Sequence, residues 1–351
     1  MNILVKDCIF VENLLQNNLT MNKKQLFDSL AEGKKIERTL FRPILMHFAA
    51  RLNGNTYGEF ASDYKVLVDS NIRAMEQFDT DMVGLISDPY RETSAFGAPV
   101  TFIQEAVPRC EKLIVKSWDD IHNLQRPDVC KCARTLDRIK GAELFQKKLQ
   151  GTVPVIGWIE GPLAEACDLA GVSQMMMQLM MDPDFCNLLL DKCMDTARDF
   201  AKAQIEAGCD VIGIGDAICS QIDPFTYDTF VKDRHRELIA FIHANGARTK
   251  LHICGDITHL LPSLKEVGTD ILDLDYAVDI AYARSVLGAQ TILCGNIEPV
   301  LIQNTTPEEV ERLSRELVAK YGDERFILSA GCEITVGTPH ENLMAMRKAS
   351  W

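Results

Sequence analysis

Three residues stand out for the chemistry they could do together: His252 and Cys254 in the segment LHICGD, and Cys332 in SAGCEI. His252 and Cys254 are two positions apart, so on a β-strand both side chains leave the same face. One imidazole and two thiolates form a normal ligand set for zinc, and three protein ligands leave a fourth position open to substrate or water. A structural zinc would instead favour four protein ligands in a closed tetrahedron. Two soft thiolates leave the metal electron-rich, which suits activating another sulfur more than polarising water. The His-x-Cys pair alone is a weak signal; Cys332, at the end of a separately predicted strand, strengthens it. Cys130-x-Cys132 is a rival pair, but it lies in a charged segment with no histidine close by and reads as surface or packing cysteine.

Short apolar runs alternating with helical patterns must position these residues. The runs predict strands at 43–48, 81–87, 153–159, 210–215, 249–254, 270–274, 291–294 and 325–329. Their continuous hydrophobicity marks strands buried on both faces, as in a parallel sheet. Asp182-Pro183 opens a helix running to Gly208, and Asp223-Pro224 opens another ending near Gly246. Thr306-Pro307-Glu308-Glu309 reads as a capping box, with Gly322 as the stop. Eight β-then-α repeats close most naturally into an α/β fold of the (β/α)8 TIM barrel type. An open doubly wound sheet is the alternative, and no glycine-rich phosphate loop follows the first strand to support a dinucleotide-binding version. The expected organisation is an N-terminal extension at 1–20 with no catalytic role and one barrel over 21–351. Residues 88–150, with four prolines and charged segments, read as an elaborated region after the second strand and a candidate lid.

Chemistry in such barrels sits at the C-terminal strand ends. There the sequence places Asp88 after the second strand, Glu160 after the third and Asp216 after the fourth. Asp273 and Asp275 end the sixth, Asn296 the seventh, and Cys332 the eighth. Glu160 and Asp216 are candidates for a fourth metal ligand, Asp216 through water, or for a catalytic carboxylate; a helix cap or turn is the plain alternative for each. Asp88, His47, Asn296 and Tyr276 are substrate-binding candidates. A core role for His47 on the first strand and a turn-fixing role for Asn296 are the competing readings. The run Met175-Met176-Met177 with Met180 and Met181 suits packing or an adaptable surface for a large partner.

The bulk numbers narrow the class. A net charge of −13 without a basic stripe argues against nucleic acid. No apolar run reaches the length of a membrane span, and the first 20 residues lack a secretory pattern. The twelve cysteines then read as reduced thiols of a cytoplasmic protein.

LHICGD followed 78 residues beyond Cys254 by Cys332 in SAGC, with GPLAEACDLAG, IGDAICSQIDP, GDITHLLPSLKEVGTDILDLD and LCGNIEPV, resembles the zinc-dependent methyltransferases of the uroporphyrinogen decarboxylase superfamily. The resemblance runs from about Met21 onward. It implies zinc on His252, Cys254 and Cys332, and a barrel mouth onto which a corrinoid protein docks. No Asp-x-His-x-x-Gly segment occurs, so cobalamin is expected on that partner. The other expected partners are a small-molecule methyl donor or acceptor and a second copy in a homodimer. Two branches are similar: the methyltransferase I components of O-demethylases, which move methyl from a methoxylated compound to cobalt, and the methylcobamide:coenzyme M methyltransferases, which move it to a thiol. The donor-side reading is preferred here, because a sulfonate asks for Arg or Lys at a strand end and only Arg248 and Lys250, near the start of the fifth strand, are on offer. Decarboxylation of a porphyrinogen fits poorly, since FRPILMHFAARLNG lacks an arginine-rich grip. A zinc-stabilised docking module is the non-enzymatic alternative.

Overall fold

The structure is a computed structural model that describes residues 21–351; the reading of 1–20 as an extension lies outside the described residues. Among the described residues ten strands occur in chain order: β1 Leu40–Phe41, β2 Val83–Gly84, β3 Val100–Ile103, β4 Ala106–Cys110, β5 Val155–Glu160, β6 Val211–Gly215, β7 Arg248–His252, β8 Ile271–Asp273, β9 Ile292–Ile297 and β10 Phe326–Ala330. Eight form one parallel sheet in the order β1-β10-β9-β8-β7-β6-β5-β2, each beside its neighbour in the βα repeat. This is the (β/α)8 barrel. β3 and β4 form a separate antiparallel hairpin within the elaborated region, which also holds helices Arg91–Ala95, Trp118–Asn123 and Ala133–Leu149.

The barrel closes between β1 and β2 through one residue. The Phe41 amide donates to the Asp81 carboxylate (2.7 Å), and the Asp81 amide donates back to the Phe41 carbonyl (2.8 Å). The same carboxylate accepts from Arg38 (2.7 Å), with both side chains buried.

The first strand differs from its expected place. It is Leu40–Phe41, whereas His47–Leu52 is helical and only Ile44 makes an isolated parallel bridge, to Glu333. Pro43 has no N–H to extend a ladder, and Phe48, Ala49 and Ala50 bury a helical face. His47 therefore opens a helix instead of lining a strand. The helix after Asp223 also divides, into Pro224–Phe230 and Lys232–Ala244. Asp182 caps Pro183–Glu206 as expected. Thr306 accepts from the Glu309 amide, but the Glu309 carboxylate pairs with Arg312, so the capping box is only half formed.

Inside the barrel, side chains stack in layers. Leu40, Met82, Ile156, Val211, Ile271, Ile292 and Ile327 fill the N-terminal end, which the helix Lys23–Ala31 covers with Leu26, Phe27 and Leu30. Lys250, near the start of β7 as expected, is buried inside the barrel against Asp273. Helices cover the outer face through a larger core that includes Phe145, Phe185 and Phe200.

Asp81→Asn should leave Arg38 buried without its counter-charge and loosen the β1–β2 seam. The expected loss is about 3–5 kcal/mol of stability, the range for breaking a buried pair from one side. Urea unfolding measures it, and a loss below about 1 kcal/mol would show that the seam is held elsewhere.

Candidate metal centre

His252 is the last residue of β7, Cys254 follows two positions later, and Cys332 lies two positions past β10. Parallel strands bring these chain-distant residues to one end of the barrel. His252 Nε2 lies 3.1 Å from Cys254 Sγ; Cys332 Sγ is 3.9 Å from each. A tetrahedral zinc about 2.3 Å from sulfur and about 2.0–2.1 Å from nitrogen separates its ligands by roughly 3.5–3.8 Å. The three atoms therefore fit one ion with small adjustment. Among the described residues, the group converging within 4.8 Å holds these three and no carboxylate.

The rear of the imidazole is fixed. His252 Nδ1 bonds Asp273 at 2.8 Å, so Nε2 faces the two thiols, and Asp273 also accepts from Lys250. A carboxylate behind a histidine ligand sets the ring tautomer and raises its basicity. Burial opposes charge on Asp273, but Lys250 and His252 outweigh it and hold the carboxyl well below its usual range. Burial likewise opposes charge on His252, yet the Asp273 hydrogen bond outweighs it and lifts the ring to about 9. The hydrogen bond with Cys254, helped by His252, pulls Cys332 down to about 4 against burial. Cys254 moves the opposite way, raised by that same bond and by burial. These directions favour a protonated ring and a single proton shared by the two sulfurs, so a metal binding there would release protons.

A cavity of about 190 Å³ opens beside these residues, lined among others by Met46, Tyr57, Asp88, Trp158, Glu160 and Glu333. Val107 of β4 adds a wall from the elaborated region. Trp158 and Glu160 are i and i+2 on β5, hence both on its inner side. The indole lies against bare backbone: a Cβ at Gly213 would come within 2.3 Å of the ring, and one at Gly215 within 3.0 Å. Glu160 Oε1 accepts from Arg91 (2.7 Å) and from the indole N–H (3.3 Å). Burial pushes Glu160 well above the carboxylate range despite Arg91, and Glu92 adds to the rise. Asp168 nearby is pushed up to about 8, first by burial and then by Glu92.

The other residues expected at the mouth divide. Asp88 lines the cavity, its carboxylate accepting from Arg134 and Ser87. Asp216 does not: it is fully buried, accepting from the Ala164 amide (2.7 Å) at the start of helix Pro162–Ala170 and bonding His235 Nε2 (2.9 Å). His235 in turn meets the Tyr227 hydroxyl (2.9 Å). Asp216, Cys219 and His235 also converge, yet both imidazole nitrogens are already engaged. Asn296 donates to the carbonyls of Asp275 (3.0 Å) and Val278 (2.8 Å), fixing the turn after β8. Tyr276 is 55% exposed and lies outside the cavity lining. His47 stacks on Tyr57 (5.0 Å between ring centres), and its amide donates to Glu333. Met175 is buried, while Met177, Met180 and Met181 are exposed. Cys130 is exposed and Cys132 half-buried.

The uroporphyrinogen decarboxylase (URO-D) family model matches residues 22–350, nearly the whole chain. The chain belongs to that family. Within it, a methylated-thiol–coenzyme M methyltransferase of Methanosarcina mazei is 32% identical over 208 residues, covering 58% of this chain and 55% of the relative. A methylcobamide:CoM methyltransferase of Methanosarcina barkeri is 29% identical over 211 residues, 59% of this chain and 61% of the relative. The match thus spans little more than half the length of these two relatives. A solved methyltransferase from Methanosarcina mazei shares the fold of this URO-D family chain with a TM-score of 0.86, at 20% identity over 94% of this chain and 98% of that one.

Sequence reasoning missed Trp158, Tyr57, Glu333 and Arg91. The first had a readable signal, sitting two positions before Glu160 on the same strand face, with glycines at 213 and 215 to receive it. Glu333 is simply next to Cys332. Tyr57 and Arg91 come from helices whose approach to the mouth has no local signature.

Asp273→Asn should weaken zinc binding about 10–100-fold, the usual effect of removing such a partner, measured by competition with a chromogenic chelator. An unchanged affinity would exclude the orienting role. Asp168 should carry its proton in the folded chain at neutral pH and release it on unfolding. Its burial therefore costs stability increasingly as pH rises from its ordinary value of 3.8 toward about 8. Asp168→Asn should then raise Tm more at pH 8 than at pH 5; the reverse order would refute this.

Proposed function

We propose that the chain is a corrinoid-linked methyltransferase that holds zinc on His252, Cys254 and Cys332 and transfers methyl to a thiol. The observation that carries this is the convergence of one imidazole and two thiols, with no carboxylate among them, on the edge of a small, mainly apolar cavity. The methyltransferase names of the relatives support the transfer of methyl, and their printed substrates, coenzyme M and methylated thiols, support a thiol. The methoxylated donor expected from sequence has no counterpart in those names, so the thiol reading takes precedence. A porphyrinogen fits this site poorly: the cavity is about 190 Å³ and, among the described residues, no Lys or Arg lines it.

When bound, zinc would supply a Lewis acid that lowers the pKa of the substrate thiol. The chain's own residues do the rest. Asp273 aims the imidazole, Lys250 keeps Asp273 charged, and Trp158 and Val107 exclude water from the cavity wall. The partner is a corrinoid protein presenting methyl-cobalt at the barrel mouth. With methyl-cobalt as the substrate, the sulfur–carbon bond would form as the carbon–cobalt bond breaks, leaving the electron pair on cobalt and the thiol proton to solvent. Holding both reactants in line is the main contribution available to a rigid barrel mouth.

The test mixes zinc-loaded protein with methylcobalamin and 2-mercaptoethanol and follows the loss of methyl-cobalt absorbance. Cys254→Ala should lower the rate at least about 100-fold. A rate indifferent to chelation of the zinc, or to Cys254→Ala, would sink the proposal.

A further inference from the structure

The cavity wall bears on a question the thiol reading leaves open, the chemical nature of the far end of that thiol. None of the cavity's lining residues is Lys or Arg, whereas three are acidic: Asp88, Glu160 and Glu333. The cations just behind the wall each face a carboxylate, although Arg91 Nε and Arg134 Nη1 have no hydrogen-bond partner among the described residues. Arg91 is fully buried on Glu160 and the Asp88 carbonyl, Arg134 is bound to Asp88, and Lys250 lies beneath His252 on Asp273.

The carboxylates differ in what they have left to offer. Asp88 accepts on both oxygens, from Ser87 and Arg134 on one and from the Tyr90 amide on the other. Glu333 Oε1 accepts from the His47 amide; its Oε2 has no partner among the described residues, but this side chain follows Cys332 directly and so belongs to the metal end of the cavity. Glu160 is only 7% exposed, and its hydrogen bonds, from Arg91 and Trp158, all fall on Oε1. Among the described residues Oε2 has no partner, on a side chain that lines the cavity. Beside it stands the Trp158 indole, with Tyr57 on the same cavity wall; aromatic faces attract cations.

An anionic group entering this space would give up its water and meet three acidic side chains and no Lys or Arg on the cavity wall, which is costly. A hydroxyl or ammonium would instead find a carboxyl oxygen with no partner and an aromatic wall, and an ammonium would favour the ionised form of a carboxyl that burial otherwise holds above its usual range. We infer that the thiol taken by this chain is a small one whose far end donates hydrogen bonds, an amine or a hydroxyl, and not an anion such as a sulfonate, with Glu160 Oε2 as the acceptor that selects it. The inference rests on the thiol reading of the site. It also separates this chain from the coenzyme M named for its relatives.

Cobalt(II) placed in the metal centre gives a thiolate-to-metal absorption band that reports binding without turnover. Three thiols on the same two-carbon chain isolate the end group: 2-aminoethanethiol, 2-mercaptoethanol and 2-mercaptoethanesulfonate, with ethanethiol as the control lacking one. Compared per thiolate, the amine and the alcohol should bind at least about tenfold more tightly than the sulfonate, a difference readily read by titration. Glu160→Gln should reduce the advantage of the amine over ethanethiol at least about fivefold. The sulfonate binding as tightly as the others would overturn the inference while leaving the thiol reading intact. So would an equal loss for ethanethiol and the amine in Glu160→Gln, since that would mark Glu160 as a purely structural residue. If cobalt binds but no thiol produces the band, the thiol reading fails and the inference falls with it.

Discussion

The carboxylate of Asp273 holds the barrel interior and the barrel mouth together. It accepts from Lys250 on one oxygen and bonds His252 on the other, wholly inside the ring of strands. An ammonium this deep is tolerable only beside a fixed negative charge, and the imidazole presents Nε2 outward only because Nδ1 is held. The pair of interactions also explains why a lysine sits in a barrel core that is apolar on its N-terminal side. Its role is to keep Asp273 ionised, so that the histidine above it stays aimed.

Much of the architecture was legible because parallel strands buried on both faces leave uninterrupted apolar runs, and VPVIGWI, DVIGIG and RFILS carry that mark. The first strand was not. PILMHF is apolar enough for a strand, but Pro43 cannot continue a ladder and the residues after Met46 repeat at helical spacing, so the strand lies before the run, at Leu40–Phe41, and the run itself holds a bridge and the start of a helix.

Among the site residues the deciding variable was parity. His252 and Cys254 share a face, as do Trp158 and Glu160, and both pairs reach the mouth. Asp216 follows Gly215, a cavity-lining residue, by one position, so it turns outward to cap a helix and hold His235. A polar residue at a strand end thus marks the right end of the barrel, while its offset from known inward residues decides whether it meets a ligand. Asn296 adds a second limit: its amide is consumed by two carbonyls, which the sequence gives no means of foreseeing.

The indole of Trp158 rests on two glycines of β6, so the cavity is partly bounded by a side chain lying on bare backbone. None of the three proposed metal ligands belongs to β5 or β6. The depth of the cavity and the chemistry of the metal are consequently carried by separate strands of one scaffold. A smaller residue at 158 would deepen the space, and a side chain at 213 or 215 would displace the ring, in either case without altering the ligand set. A lineage built on this arrangement is free to change what it binds while keeping how it reacts.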